Sequence, residues 1–152
     1  MNYEKILLYR NKHNAFANYI GLRVTEIKEG YARSEMPITV KHYNPIGSVH
    51  GGCLFTIADV TCGAAASSYG YNVTTVDSHI HYLRAGLNTT HLYGEAKEIK
   101  HGKKILVYEI TVKDQNQVLL ANAIFTFMSL GTKIQLEEDD SSPVISDSCS
   151  SS

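Results

Sequence analysis

From Cys53 to Ser68 the chain is a run of apolar and small residues broken by a single charge, Asp59. Leu54, Phe55, Ile57, Ala58, Val60, Cys62, Ala64, Ala65 and Ala66 cover every side of a helical turn. A helix apolar all round has no side to offer water and is expected to be buried. Everything else in the chain must then be arranged to cover it. Burying an unpaired carboxylate is costly, so Asp59 needs a partner or a task. Ahead of the run, Asn44 to Val49 reads as a polar loop, because Pro45 and Gly47 forbid helix there. His50-Gly51-Gly52 marks the helix start.

The flanking segments supply the cover. Residues 2–13 mix apolar and charged side chains as a short amphipathic helix, and Asn14 can cap a second turn through Ala15, Phe16 and Tyr19. Gly21 ends it. Leu22 to Lys28 and Tyr31 to Ile38 read as strands about a Glu29-Gly30 turn, the first with imperfect alternation. After the helix come four further strands: Val73 to Leu83, His91 to Lys100, Lys104 to Lys113 and Val118 to Leu130. They are rich in β-branched and aromatic residues and joined by short turns. The expected fold is α+β, a curved antiparallel sheet laid across one long central helix. Three segments follow: a helical one over 1–20, a single domain over 21–133, and an acidic, serine-rich tail over 134–152 that is expected to be disordered.

Several function classes drop out. No apolar run approaches the roughly 20 residues of a membrane helix. The N-terminus lacks the apolar core and cleavage site of a secretory signal. An odd count of three cysteines makes no disulfide framework, which points to a reduced, cytoplasmic compartment. Net charge is −1, but five of the fifteen acids follow Lys133, where there is no base. The first 133 residues therefore carry all fourteen bases and about +4, enough to favour an anionic ligand and far too little for nucleic acid.

Candidate chemistry gathers at the helix start. The amides of Gly51 and Gly52 point outward at the positive end of the helix dipole, and without Cβ atoms they admit a ligand oxygen closely. That suits a developing oxyanion, although a glycine pair can equally serve packing. Asp59 lies eight residues on, roughly 12 Å along the axis. A general base and an oxyanion donor acting on one carbonyl must each lie about 3 Å from the reacting atoms. If both are catalytic, the site combines Gly51 of one subunit with Asp59 of another. Asn44 can orient a water or a carbonyl, or simply make the turn before Pro45. His50 can donate to a substrate oxygen or brace the loop.

Other polar clusters are less committed. His79 and His81 share a strand face, but an HxH pair needs a further ligand that the sequence does not identify, so no metal is expected. Arg84, Lys103 and Lys104 offer cations to phosphates, or are solvated turn residues. Phe55, Met36, Tyr69, Tyr71 and Tyr82 are candidates to shape a hydrophobic pocket.

Asn44-Pro45-Ile46-Gly47-Ser48-Val49-His50-Gly51-Gly52, followed by Cys53 to Asp59, resembles the hotdog-fold acyl-CoA thioesterases of the phenylacetate-degradation type. There an HGG turn opens the central helix and an aspartate stands seven residues after the second glycine. The strands from Thr90 to Met128, with the His101-Gly102-Lys103 turn, are similar too. The resemblance implies a homodimer or homotetramer that hydrolyses an acyl-CoA at the subunit interface without metal or organic cofactor. It assigns Gly51 as oxyanion donor, Asp59 as base or nucleophile, Asn44 as positioner of the water or carbonyl, and His50 as support for the loop. Thr75 falls where some relatives hold the attacking water. Gly52, Arg84, Lys103 and Lys104 are expected to contact substrate. The family's strand often ends in Arg-Pro, whereas this chain has Arg84-Ala85. A non-catalytic acyl-CoA sensor or carrier with the same fold is the alternative; a hydratase would want an acid-base pair that is not found here.

Overall fold

A computed structural model describes residues 1–137. Two helices open the chain. α1 (Tyr3–His13) is capped by Asn2, and α2 (Ala15–Ile20) by Asn14, whose side chain accepts the Ala17 N–H at 3.1 Å. Gly21, at φ +80°, closes α2 in the left-handed conformation that glycine adopts without strain.

Six strands follow, β1 (Arg23–Lys28), β2 (Tyr31–Pro37), β3 (Tyr71–Tyr82), β4 (His91–His101), β5 (Ile105–Asp114) and β6 (Leu119–Lys133). Their ends fall within three residues of those expected. They form one antiparallel sheet in the order β1-β2-β4-β5-β6-β3. Between β2 and β3 runs the long helix α3 (Gly51–Ala66), lying against the sheet's apolar face. Leu92 and Ala96 of β4, Leu106, Tyr108, Ile110 and Val112 of β5, and Phe125 and Phe127 of β6 alternate onto that face and are buried. The hotdog fold is therefore present, with helix and sheet in the expected arrangement. The uneven alternation of β1 has a cause: a bulge between Val24 and Glu26 lets Leu22, Val24 and Ile27 all point inward.

Close helix–sheet approach follows from small side chains. A Cβ on Gly94 would come within 2.7 Å of Ser34 Oγ and 2.8 Å of Thr61 Oγ1, so only glycine fits beneath α3 there.

Two expectations need correction. The helix is not buried all round. Val60 to Ala66 are buried, but Gly52 and Phe55 are exposed and Thr56 and Asp59 half-exposed. These residues recur every three or four positions, so they form one uncovered stripe along the β3 edge of the sheet, where Phe55 also packs on Phe125. The edge strand β3 likewise buries none of its residues. The tail also does not begin at 134. Ile134 and Leu136 pack against the core, and Glu137 pairs with Lys12 at 2.8 Å, because the apolar alternation continues past Lys133. The rest of the expected tail, 138–152, lies outside the described residues.

Candidate active site

The loop before α3 is held by its own polar side chains. Buried His42 accepts the Thr39 N–H on Nδ1 at 2.9 Å, so its Nε2 carries the proton and donates to the Ile20 carbonyl at 2.6 Å. That ties the loop to α2. Asn44 Oδ1 accepts the N–H groups of Ile46 and Ser48, while Nδ2 donates to Ser48 Oγ at 2.7 Å. Asn44 thus closes the turn round Pro45, with one side-chain N–H left over for anything entering the adjacent cleft.

His50 is the N-cap of α3, and its Nδ1 accepts the Gly52 N–H at 2.8 Å. A Cβ on Gly52 would lie 3.0 Å from that nitrogen, so glycine lets the ring fold back. The expected pair of free amides is therefore one: Gly52 spends its N–H on the cap. The Gly51 N–H has no partner among the described residues. It stands at a cleft of about 300 Å³ lined by Asn44, Ser48, Tyr82, Arg84 and Gly86. Arg84 Nη1 donates to the Leu119 carbonyl at 3.1 Å, which holds the guanidinium at the rim.

Asp59 lies two turns further along. It is half-buried, and Thr75 Oγ1 of β3 donates to its Oδ1 at 2.7 Å. Thr75 points at the helix because a bulge at Val76 resets the strand: Thr75 and Asp77 stand opposite the adjacent residues Phe127 and Thr126. A second partner was not foreseen. Arg10 of α1 has a buried Nε without a hydrogen-bond partner among the described residues. Burial pushes its pKa below the ordinary value, opposed by the charge of Asp59. The sequence signal was available: Arg10 stands four residues after the buried Ile6, on the inward face of α1. The same aspartate adds to burial in raising the Cys62 thiol well above the usual range.

Within one chain the candidates divide along α3. Gly51, Gly52, Asn44, His50 and Arg84 gather at its start, and Asp59 with Thr75 at its middle. Lys103 instead lines a separate cleft of about 450 Å³ at the far end, with Ala66, Tyr69, Tyr71 and His101. The neighbouring Lys104 carbonyl accepts the Ser129 N–H. A single chain does not bring these lysines to Gly52 or Arg84. Met36 is fully buried in the core and shapes no open pocket. His79 and His81 point outward from β3, and among the described residues no group of three or more potential ligands could hold a metal.

Known proteins share this fold. The profile of the Thioesterase superfamily matches residues 46–121. A putative esterase of Archaeoglobus fulgidus is 31% identical over 136 residues, covering 90% of this chain and 84% of its own. The acyl-coenzyme A thioesterase PaaI of Escherichia coli is 32% identical over 114 residues, 75% of this chain and 80% of its own. The solved structure of the E. coli PaaI protein superposes with a TM-score of 0.80 at 27% identity, over 88% of this chain and 99% of that one. A Streptococcus mutans protein solved bound to acetyl-CoA superposes at 0.70 and 26% identity, over 74% and 91%. Sequence and fold agree: the chain belongs to the Thioesterase superfamily, as a hotdog-fold thioester hydrolase of the PaaI type.

Proposed function

We propose that the protein hydrolyses an acyl-CoA thioester to free acid and CoA at a site shared by two copies of the chain. The thioesterase name of the E. coli relative and the acetyl-CoA held by the S. mutans neighbour support the substrate class. The observation that carries the reading is the Thr75–Asp59 hydrogen bond on a stripe of α3 that the described residues leave uncovered.

The ionised Asp59 only accepts, so Thr75 must supply the proton of that bond. One carboxylate oxygen is thereby oriented and the other is left to act. It takes a proton from the attacking water, or attacks the thioester carbonyl to give a mixed anhydride that water then opens. In either route the carbonyl oxygen gains charge, and the Gly51 N–H of the other copy stabilises it. Collapse of the tetrahedral intermediate expels the CoA thiolate. Asn44 offers its spare N–H to the carbonyl, and His50 holds the loop by capping the helix. Arg84 and the Lys103-Lys104 turn, at opposite ends of α3, offer cations to the phosphates of CoA. A homodimer, alone or doubled into a tetramer, completes the site. Cys53 and Cys62, both free thiols, fit a reducing cytoplasm.

Release of free thiol from a panel of acyl-CoAs tests the assignment. Asp59→Asn lowers turnover by about 10²- to 10⁴-fold, the usual contribution of a positioned base, while size and circular dichroism stay unchanged. Retained turnover, or tight CoA-ester binding without thiol release by the wild type, contradicts it.

A further inference from the structure

Arg10 carries a charge inward from α1 to a place where no described residue hydrogen-bonds to it. Its Nε is buried without a partner, and its guanidinium makes neither a hydrogen bond nor an ion pair among the described residues. Burying a cation in this way is costly, so it needs an opposing charge or a task. Burial lowers its pKa, and of the two groups that oppose this, Asp59 acts more strongly than Tyr9.

The helix brings Arg10 and Asp59 together. The uncovered stripe of α3 runs through Gly52, Phe55, Thr56 and Asp59, and one turn later reaches buried Gly63. Arg10 helps to cover that turn. A Cβ on Gly63 would lie 3.0 Å from Arg10 Nη2 and 3.5 Å from the Phe127 ring, so glycine lets the guanidinium lie against the helix. Phe127 in turn stands opposite Thr75 in the sheet. Asp59 therefore has a β3 hydroxyl bound to its Oδ1 on one side and, one turn away, a cation of α1 that does not touch it. That separation matters. A contact ion pair would occupy the second carboxylate oxygen, whereas a charge one turn off favours the ionised form and leaves that oxygen free to react.

We propose that Arg10 is a positioning residue for thioester hydrolysis, its buried guanidinium holding Asp59 ionised as the acyl-CoA closes over the site; the proposal rests on the role given to Asp59 above. Substrate displaces water from the stripe, and losing water favours the neutral carboxyl. A fixed cation opposes that change, and because it is already desolvated it loses no hydration when substrate binds. The other titratable groups near the pair are Tyr9 of α1, Cys62 of α3 and, in the two-copy site, His50 of the second copy. Burial and then Asp59 raise the Cys62 thiol, so it adds no charge. From β3 the neighbour is the uncharged Thr75.

The test follows kcat and kcat/KM against pH on one acyl-CoA, for the full wild-type chain and for Arg10→Met, Arg10→Gln and Arg10→Lys. In the two neutral variants the acid limb of kcat should move up by about one pH unit or more, with the rate recovering towards wild type above it. Arg10→Lys should keep the wild-type limb. A merely structural loss lowers kcat at every pH and leaves the limb in place. That result, or an unmoved limb at full rate, overturns the role of Arg10 and leaves the hydrolase standing. Should the neutral variants fail to fold, the wild type decides. Its Arg10 Nε–H resonance should titrate with the midpoint of the kcat/KM limb, and that step should vanish in Asp59→Asn. A resonance indifferent to Asp59 overturns the role equally. A wild type that releases no thiol from any acyl-CoA overturns the hydrolase itself.

Discussion

The hydroxyl of Thr75 donates to Asp59 Oδ1 at 2.7 Å, linking the unpaired edge of the sheet to the uncovered stripe of the central helix. An exposed strand residue and a half-buried helix residue meet where a second chain would lie. The bond leaves Asp59 one free oxygen and fixes its direction.

Replacing Thr75 by valine keeps the shape and removes the donor. A hydrogen bond to a charged group contributes about 1.5–3 kcal/mol, so kcat should fall by roughly 10- to 100-fold if the bond acts in the transition state. Thr75→Ser should recover most of it. Steady-state kinetics on one acyl-CoA decides, and an unchanged kcat in Thr75→Val denies Asp59 this support.

Arg10 and Asp59 should be coupled in stability. Arg10→Met alone leaves Asp59 without its neighbouring cation, whereas in an Asp59→Asn background that loss no longer matters. Denaturant unfolding of both single variants and the double variant should give a coupling of roughly 0.5–3 kcal/mol. Strict additivity means that the buried guanidinium serves α1 alone.

Alkaline stability should follow Tyr31. Burial and then its hydrogen bond to Glu95, 2.8 Å long, push the phenol up to about 12. An unfolded tyrosine ionises near pH 10. Below that pH both states keep the proton and the contribution is complete. Between about 10 and 12 only the unfolded chain ionises, so stability falls as pH rises. The melting temperature should decline above pH 10, and Tyr31→Phe should soften the decline without removing it, because Tyr69 and Tyr108 are raised as well. An unaltered decline in Tyr31→Phe would exclude this phenol as a source.

Much of this architecture is written locally. The apolar run after His50-Gly51-Gly52, Asn14 as a cap and the alternation of β4 to β6 each act over a few residues, and each element appears where those signals lie. What the sequence hides is decided over distance or by backbone geometry. The bulge at Val76 has no distinctive residue type, yet it turns Thr75 towards Asp59. The Gly52 amide looks as open as that of Gly51 until the His50 ring folds back onto it. Arg84 and Lys103 look like one basic group, but α3 holds their clefts apart. Asp59 reads as buried in a helix apolar all round, because composition cannot tell which stripe the sheet leaves uncovered.

The two-chain site has its most direct test in mixed dimers. Gly51 is the first helical residue, where proline is well tolerated, and His50 before it is already extended at φ −61°, ψ 135°. Gly51→Pro therefore deletes one N–H and little else, while Asp59→Asn deletes the carboxylate. Each variant alone should be nearly inactive. Unfolded together and refolded in equal amounts, about half of the dimers pair one chain of each kind, and every such dimer holds one intact site and one doubly damaged site. Thiol release should then recover to about a quarter of the wild-type rate. A mixture no more active than its two parents would show that Gly51 and Asp59 do not meet across two chains.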